Sequence, residues 1–111
     1  MEVKAHDSWI DKANGTSLQG YVETTYANLV HRFGEGLGGG DKTTQEWILE
    51  FSDGTVATIY DWKEYSTPQG MYHWHIGGTS KQAVWNAEKA IKGKIPVVEN
   101  FTPSGWDVVE V

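Results

Sequence analysis

Residues 71–80 read Met71-Tyr72-His73-Trp74-His75-Ile76-Gly77-Gly78-Thr79-Ser80, and the alternation in this stretch decides the fold. Successive side chains of an extended chain point to opposite faces. Tyr72, Trp74 and Ile76 therefore project one way, and Met71, His73 and His75 the other. The pattern predicts a half-buried strand in which Trp74 and Ile76 anchor the sheet. Gly77-Gly78 then reads as a turn, with Thr79 or Ser80 capping a helix. That helix carries Ala83, Val84, Ala87, Ala90 and Ile91 on one stripe, and Gly93 and Pro96 end it.

Working outward, Gln45–Phe51 and Val56–Trp62 flank Ser52-Asp53-Gly54-Thr55, a hairpin signal. A two-residue Asp53-Gly54 loop would pair Phe51 with Val56, Leu49 with Thr58 and Trp47 with Tyr60. Glu46, Ile48, Glu50, Ala57, Ile59 and Asp61 would then share the other face. A three-residue turn with a bulge would exchange the faces of the second strand. The two-residue register is favoured because it segregates apolar from polar side chains better.

Upstream, Tyr26, Leu29, Val30 and Phe33 recur at helical spacing behind a cap at Thr24 or Thr25, with Gly34 as the C-terminal glycine. Leu18–Val22 reads as an edge strand. The five glycines between Gly34 and Asp41 follow a helix and precede a strand, the reverse of a phosphate-binding loop, and predict a flexible connector. The expected fold is α+β, with an antiparallel sheet of three to four strands, two helices on one face and the order β-α-β-β-β-α. Residues 1–16 form an arm, 17–92 the core, and 93–111 a tail packed through Val97, Val98, Phe101, Trp106, Val108 and Val109.

Composition narrows the function. The 111 residues contain no cysteine, which excludes disulfides, thiolate metal sites and cysteine nucleophiles. Fourteen aromatic residues, six of them tryptophan, supply enough area for a core without such staples. The net charge is −6, and the nine basic residues include one arginine, Arg32. A basic stripe for phosphate backbones is therefore missing, which argues against direct nucleic-acid binding. No apolar run is long enough to span a membrane, and the first residues lack the order of a signal peptide.

The candidate site follows from the strand at 71–76. His73 and His75 share a face, with Asp61, Glu50 and Glu46 expected beside them and Trp62 nearby. Two imidazoles and a carboxylate suit zinc or iron, but no third ligand has a diagnostic spacing. A hydroxyl nucleophile at Thr79 or Ser80 lacks a nucleophile-elbow pattern. Gly77, Gly78, Thr79 and Ser80 at a helix start could offer free amides to an anion. The ligand-binding set is thus His73, His75, Gly77, Gly78, Thr79, Ser80, Trp62 and Asp61, with no catalytic residue, metal or cofactor assigned.

The runs Leu18-Gln19-Gly20-Tyr21-Val22-Glu23-Thr24-Thr25-Tyr26, Phe33-Gly34-Glu35 and Trp47-Ile48-Leu49-Glu50-Phe51 resemble a family of small proteins of tailed bacteriophages and some large DNA viruses. So do Asp53-Gly54-Thr55-Val56-Ala57-Thr58-Ile59-Tyr60-Asp61-Trp62-Lys63 and Trp74-His75-Ile76-Gly77-Gly78. The likeness covers about residues 17–92 and departs from the family at 34–40, where Gly-x-Pro is expected. It implies a viral accessory protein acting in the host cytoplasm, and carries no functional residues over. The expected function is non-enzymatic binding, of a host protein or a small anionic ligand, with a second copy of the chain as a further partner. The alternatives are a metal- or histidine-assisted hydrolase and a virion component.

Overall fold

The computed structural model describes residues 1–101. Five strands, β1 (Val3–His6), β2 (Ser17–Thr24), β3 (Glu46–Phe51), β4 (Val56–Tyr60) and β5 (Tyr72–Gly78), form one sheet in the order β1-β3-β4-β5-β2. Every neighbouring pair is antiparallel. Helices α1 (Tyr26–Phe33) and α2 (Lys81–Ile91) pack on one face. The α+β class and the two helices on one face agree with the sequence reading, and the sheet has one strand more.

The extra strand is β1, in a segment expected to be an arm. Val3 is fully buried against the helices, and its carbonyl accepts from Val98 N–H while its own N–H donates to Pro96 O. Four residues with only Val3 and Ala5 turned inward are too few to register as a periodicity. Their partner strand lies more than forty residues away, so nothing local announces the pairing. A short 3₁₀ turn, Asp11–Ala13, follows.

The helices form for the reasons the sequence indicates. Thr25 Oγ1 accepts from Asn28 N–H at 3.1 Å and caps α1, whose Leu29 and Phe33 are buried. In α2 all five members of the expected stripe are buried, joined by Asn86, whose amide donates to Asp53 and Thr55 of the β3–β4 turn. The α2 cap differs from expectation. Ser80 stands at the N-cap without a side-chain bond, and Thr79 Oγ1 instead accepts from Val56 N–H. Arg32, the single arginine, closes the far end by donating to Ala90 O and Ile95 O. Of the expected tail contacts, Val97 and Val98 lie beside β1 and Phe101 is half-buried, while Trp106, Val108 and Val109 fall outside the described residues; Ile95, which was not among them, is buried.

The hairpin register overturns the favoured one. Glu46 pairs with Tyr60, Trp47 with Ile59, Ile48 with Thr58, Leu49 with Ala57 and Glu50 with Val56. Gly54 N–H donates to Phe51 O, Phe51 N–H donates to Thr55 O, and Gly54 adopts φ 94°. This is a three-residue loop, a turn followed by a left-handed glycine bulge. Ala57 and Ile59 consequently enter the helix-side core, where small and branched side chains fit beneath α2. Thr58 and Tyr60 pass to the opposite face.

Gly77 and Gly78 are also placed differently. They do not turn the chain but end β5, buried between β4 and β2. A Cβ at Gly78 would collide with Ala83 of α2, and one at Gly77 with Thr58 Oγ1 at 2.5 Å. Close approach, not backbone freedom, requires these glycines. Gly77→Ala is expected to cost about 1–3 kcal/mol in denaturant unfolding. In a Thr58→Ala background the penalty should be smaller, because the colliding oxygen is gone; an unchanged penalty in the double mutant would refute this origin.

Candidate functional site

The sheet face turned away from the helices is divided in two. Over one half, Ile10 and Ala13 from the 3₁₀ segment and Leu37 from the glycine-rich loop cover Ile48 and Val56 in a second small core. The loop is pinned there, since Leu37 N–H donates to Glu46 O and Gly38 N–H to Gln45 Oε1. Nearby, Glu50 accepts from Lys12 Nζ at 2.7 Å and bonds His6 Nε2 at 2.9 Å, tying β1 and the 3₁₀ segment to β3.

The other half is open and aromatic. The observed register aligns Tyr21 of β2, His75 of β5, Tyr60 of β4 and Glu46 of β3 as direct cross-strand neighbours, one row across four strands. Tyr60 stacks on His75 at 5.4 Å, and Tyr21 meets the same ring edge-on at 4.9 Å. Tyr21 also stacks on His73 at 4.5 Å, and Trp62 lies edge-on to Tyr60 at 6.3 Å. Tyr21, Trp62 and the neighbouring Leu18 are 43%, 41% and 47% exposed.

Of the residues expected to bind, His73, His75 and Trp62 do come together here. Gly77 lies on the same face, under Thr58 and Tyr60. Asp61 does not join them. It alternates away from Tyr60, is fully buried, and accepts from the Thr44 and Gln45 amides and the Thr44 hydroxyl, holding the 61–67 loop to the start of β3. Thr79 and Ser80 are at the far end of the strand, and the Thr79 amide already donates to Val56 O. Gly77 and Gly78 are taken into the sheet and the Thr79 amide is engaged, so three of the four positions expected to cradle an anion are committed to backbone pairing. Among the described residues no three His, Asp or Glu side chains converge as metal ligands, and no hydroxyl bonds to either strand histidine. A concavity of about 440 Å³ lies elsewhere, between β1, Phe33 and Val98, with its His6 committed to Glu50.

The electrostatics separate the two halves. Glu50 is held below the usual carboxylate range, first by Lys12 and then by His6. Glu46, four residues earlier on the same strand and face, is pushed above it by burial, with no ion pair or side-chain hydrogen bond among the described residues. Burial likewise raises Tyr60, helped by the charges of Glu46 and Tyr21. His75 is held below its usual value by burial and then by His73, against the opposing pull of Asp61 and Glu64, and its Nδ1 is buried without a partner. It is thus neutral at pH 7. Below about pH 6.5 the unfolded chain takes up this proton first, so acidification costs stability at this residue.

Tyr21, Tyr60 and Glu23, which faces His73 at 3.6 Å, were not among the expected binding residues. The signal for Tyr60 was the glycine at the third position of Ser52-Asp53-Gly54, which favours the bulged turn. Tyr21 carried no comparable signal. No protein-family model matches the chain, and no curated protein matches it.

The contrast on β3 is testable by thermal unfolding at pH 7. Glu50→Gln is expected to lower the midpoint, because a carboxylate with a depressed pKa contributes stability above its unfolded value near 4.3, lost as pH falls. Glu46→Gln is expected to raise it, because a group whose pKa is raised contributes most when protonated and costs stability at neutral pH. Equal shifts in the same direction would contradict the assignment. Asp61→Ala, which strands two amides and a hydroxyl, is expected to cost about 2–3 kcal/mol.

Proposed function

We propose that this chain is a non-catalytic binding protein that engages a partner protein through the open half of its sheet. The observation that carries this reading is the row Tyr21–His75–Tyr60–Glu46, which the described residues leave partly exposed while Ile10, Ala13 and Leu37 seal the adjoining half. A surface of rigid rings flanked by polar groups has the make-up of an interface hot spot, where aromatic side chains contribute area at little entropic cost. The metal-assisted hydrolase alternative needs a third ligand beside His73 and His75, and no such trio of His, Asp or Glu forms among the described residues. Sequestration of an anion through 77–80 is less favoured, because Gly77 and Gly78 pair within the sheet and the Thr79 amide donates to Val56 O. The resemblance to viral proteins suggests that the partner belongs to an infected host.

Quantitative affinity capture from host extract tests this. A partner held by the parent chain should also be held by Trp85→Ala, which removes an exposed tryptophan from the outer face of α2. Tyr21→Ala/Trp62→Ala should lose that partner about tenfold or more, as hot-spot residues do. Equal recovery by all three proteins would sink the proposal.

A further inference from the structure

The strands that build the open half carry an unusual charge pattern. β2, β3, β4 and β5 read Ser-Leu-Gln-Gly-Tyr-Val-Glu-Thr, Glu-Trp-Ile-Leu-Glu-Phe, Val-Ala-Thr-Ile-Tyr and Tyr-His-Trp-His-Ile-Gly-Gly, without one lysine or arginine. Their three carboxylates are Glu23, Glu46 and Glu50. Glu50 is neutralised by Lys12 and His6. Glu46 ends the aromatic row half-buried and without a counter-charge among the described residues, and Glu23 stands at the other end beside Tyr21, with His73 at 3.6 Å.

Between these carboxylates lie the rings of Tyr21 and Tyr60, each stacked by one face on a histidine, and a neutral imidazole, groups whose π-electrons attract cations. The chain supplies one example of its own, since Lys63 Nζ sits 6.0 Å from the centre of the Trp62 ring. An anion here would meet two carboxylates and no cation on the strands. A half-buried carboxylate without a counter-ion costs folding stability, and a cation docking beside Glu46 would return it.

The spacing defines the occupant further. Glu46 and the β2 end of the row are three strand intervals apart, roughly 14 Å at about 4.8 Å per interval. An extended polypeptide covers that length in about four residues. We infer that the open half binds an extended basic segment of a partner protein, with one arginine or lysine against Tyr21 and Glu23 and a second, about four residues away, against Tyr60 and Glu46. This rests on the binding role proposed above and names the chemistry of the partner. Arginine suits the site better than lysine, because its planar guanidinium stacks on a ring while bonding a carboxylate.

The test uses the full chain titrated with synthetic decapeptides by calorimetry, with amide and imidazole NMR shifts locating the contact. A peptide with two arginines four residues apart is expected to bind at least tenfold more tightly than its glutamine counterpart, and more tightly than one with adjacent arginines. Its shifts should centre on Tyr21, Tyr60 and His75. Glu46→Gln should weaken binding about five- to tenfold without lowering the thermal midpoint, and Trp85→Ala should leave binding unchanged. Indifference to peptide charge, tighter binding of an anionic probe such as tripolyphosphate at the same residues, or no shifts up to millimolar peptide would each overturn the inference. If Tyr21 and Trp62 still govern partner capture while arginine confers no advantage, the inference falls and the binding role stands. If neither responds to these residues, both fall.

Discussion

Gly54, at φ 94°, is the backbone constraint on which the two faces of this sheet depend. A left-handed residue at the third position of the Ser52-Asp53-Gly54 loop adds one residue to the turn and shifts β4 by one position against β3. Side chains alternate with a period of two, so that shift exchanges every side chain of β4 between core and open face. Ala57 and Ile59 go beneath the helices, and Tyr60 goes beside His75. The Asp53 carboxylate reinforces the turn by accepting from Thr55, and the Asn86 amide of α2 bonds both residues. The turn and the helix that covers the core thus hold each other in place.

The resulting molecule treats its faces unequally. One is closed by α1 and α2 through Trp47, Trp74 and small alanines. The other is closed only halfway, by Ile10, Ala13 and Leu37, and the closure stops where the aromatic row begins. The same boundary divides the charges. Glu50 lies inside the sealed half with its counter-ions, and Glu46 lies in the open half without one among the described residues. A protein under selection for stability alone would pair or replace Glu46. Its place beside exposed rings is a local cost to folding, and that cost is part of what supports the proposed binding role.

Most of the regular structure was legible in residue order. The stripes of both helices, the alternation of Tyr72, Trp74 and Ile76, and the shared face of His73 and His75 are local periodicities, and local periodicity survives folding. Three features were not legible. β1 is too short to display a period, and its partner is distant in sequence. Gly77-Gly78 looks like a turn when only backbone freedom is considered, whereas in the folded chain the pair answers to Thr58 and Ala83. Asp61 looks like a neighbour of the histidines in one register and a buried staple for Thr44 in the other.

The sequence by itself determined the α+β class, the two amphipathic helices and the cap of the first, the hairpin and the presence of two imidazoles on one side of a strand. Each of these is decided within a dozen residues, by side-chain period and turn chemistry. The tertiary structure alone decided which side of the sheet lies open and what stands beside those imidazoles. Tyr21, Tyr60 and Glu46 come from three different strands, and cross-strand neighbours are set by register and strand order. Both registers satisfied the local pattern, and only the packing of Ala57 and Ile59 beneath α2, with the left-handed backbone at Gly54, separates them.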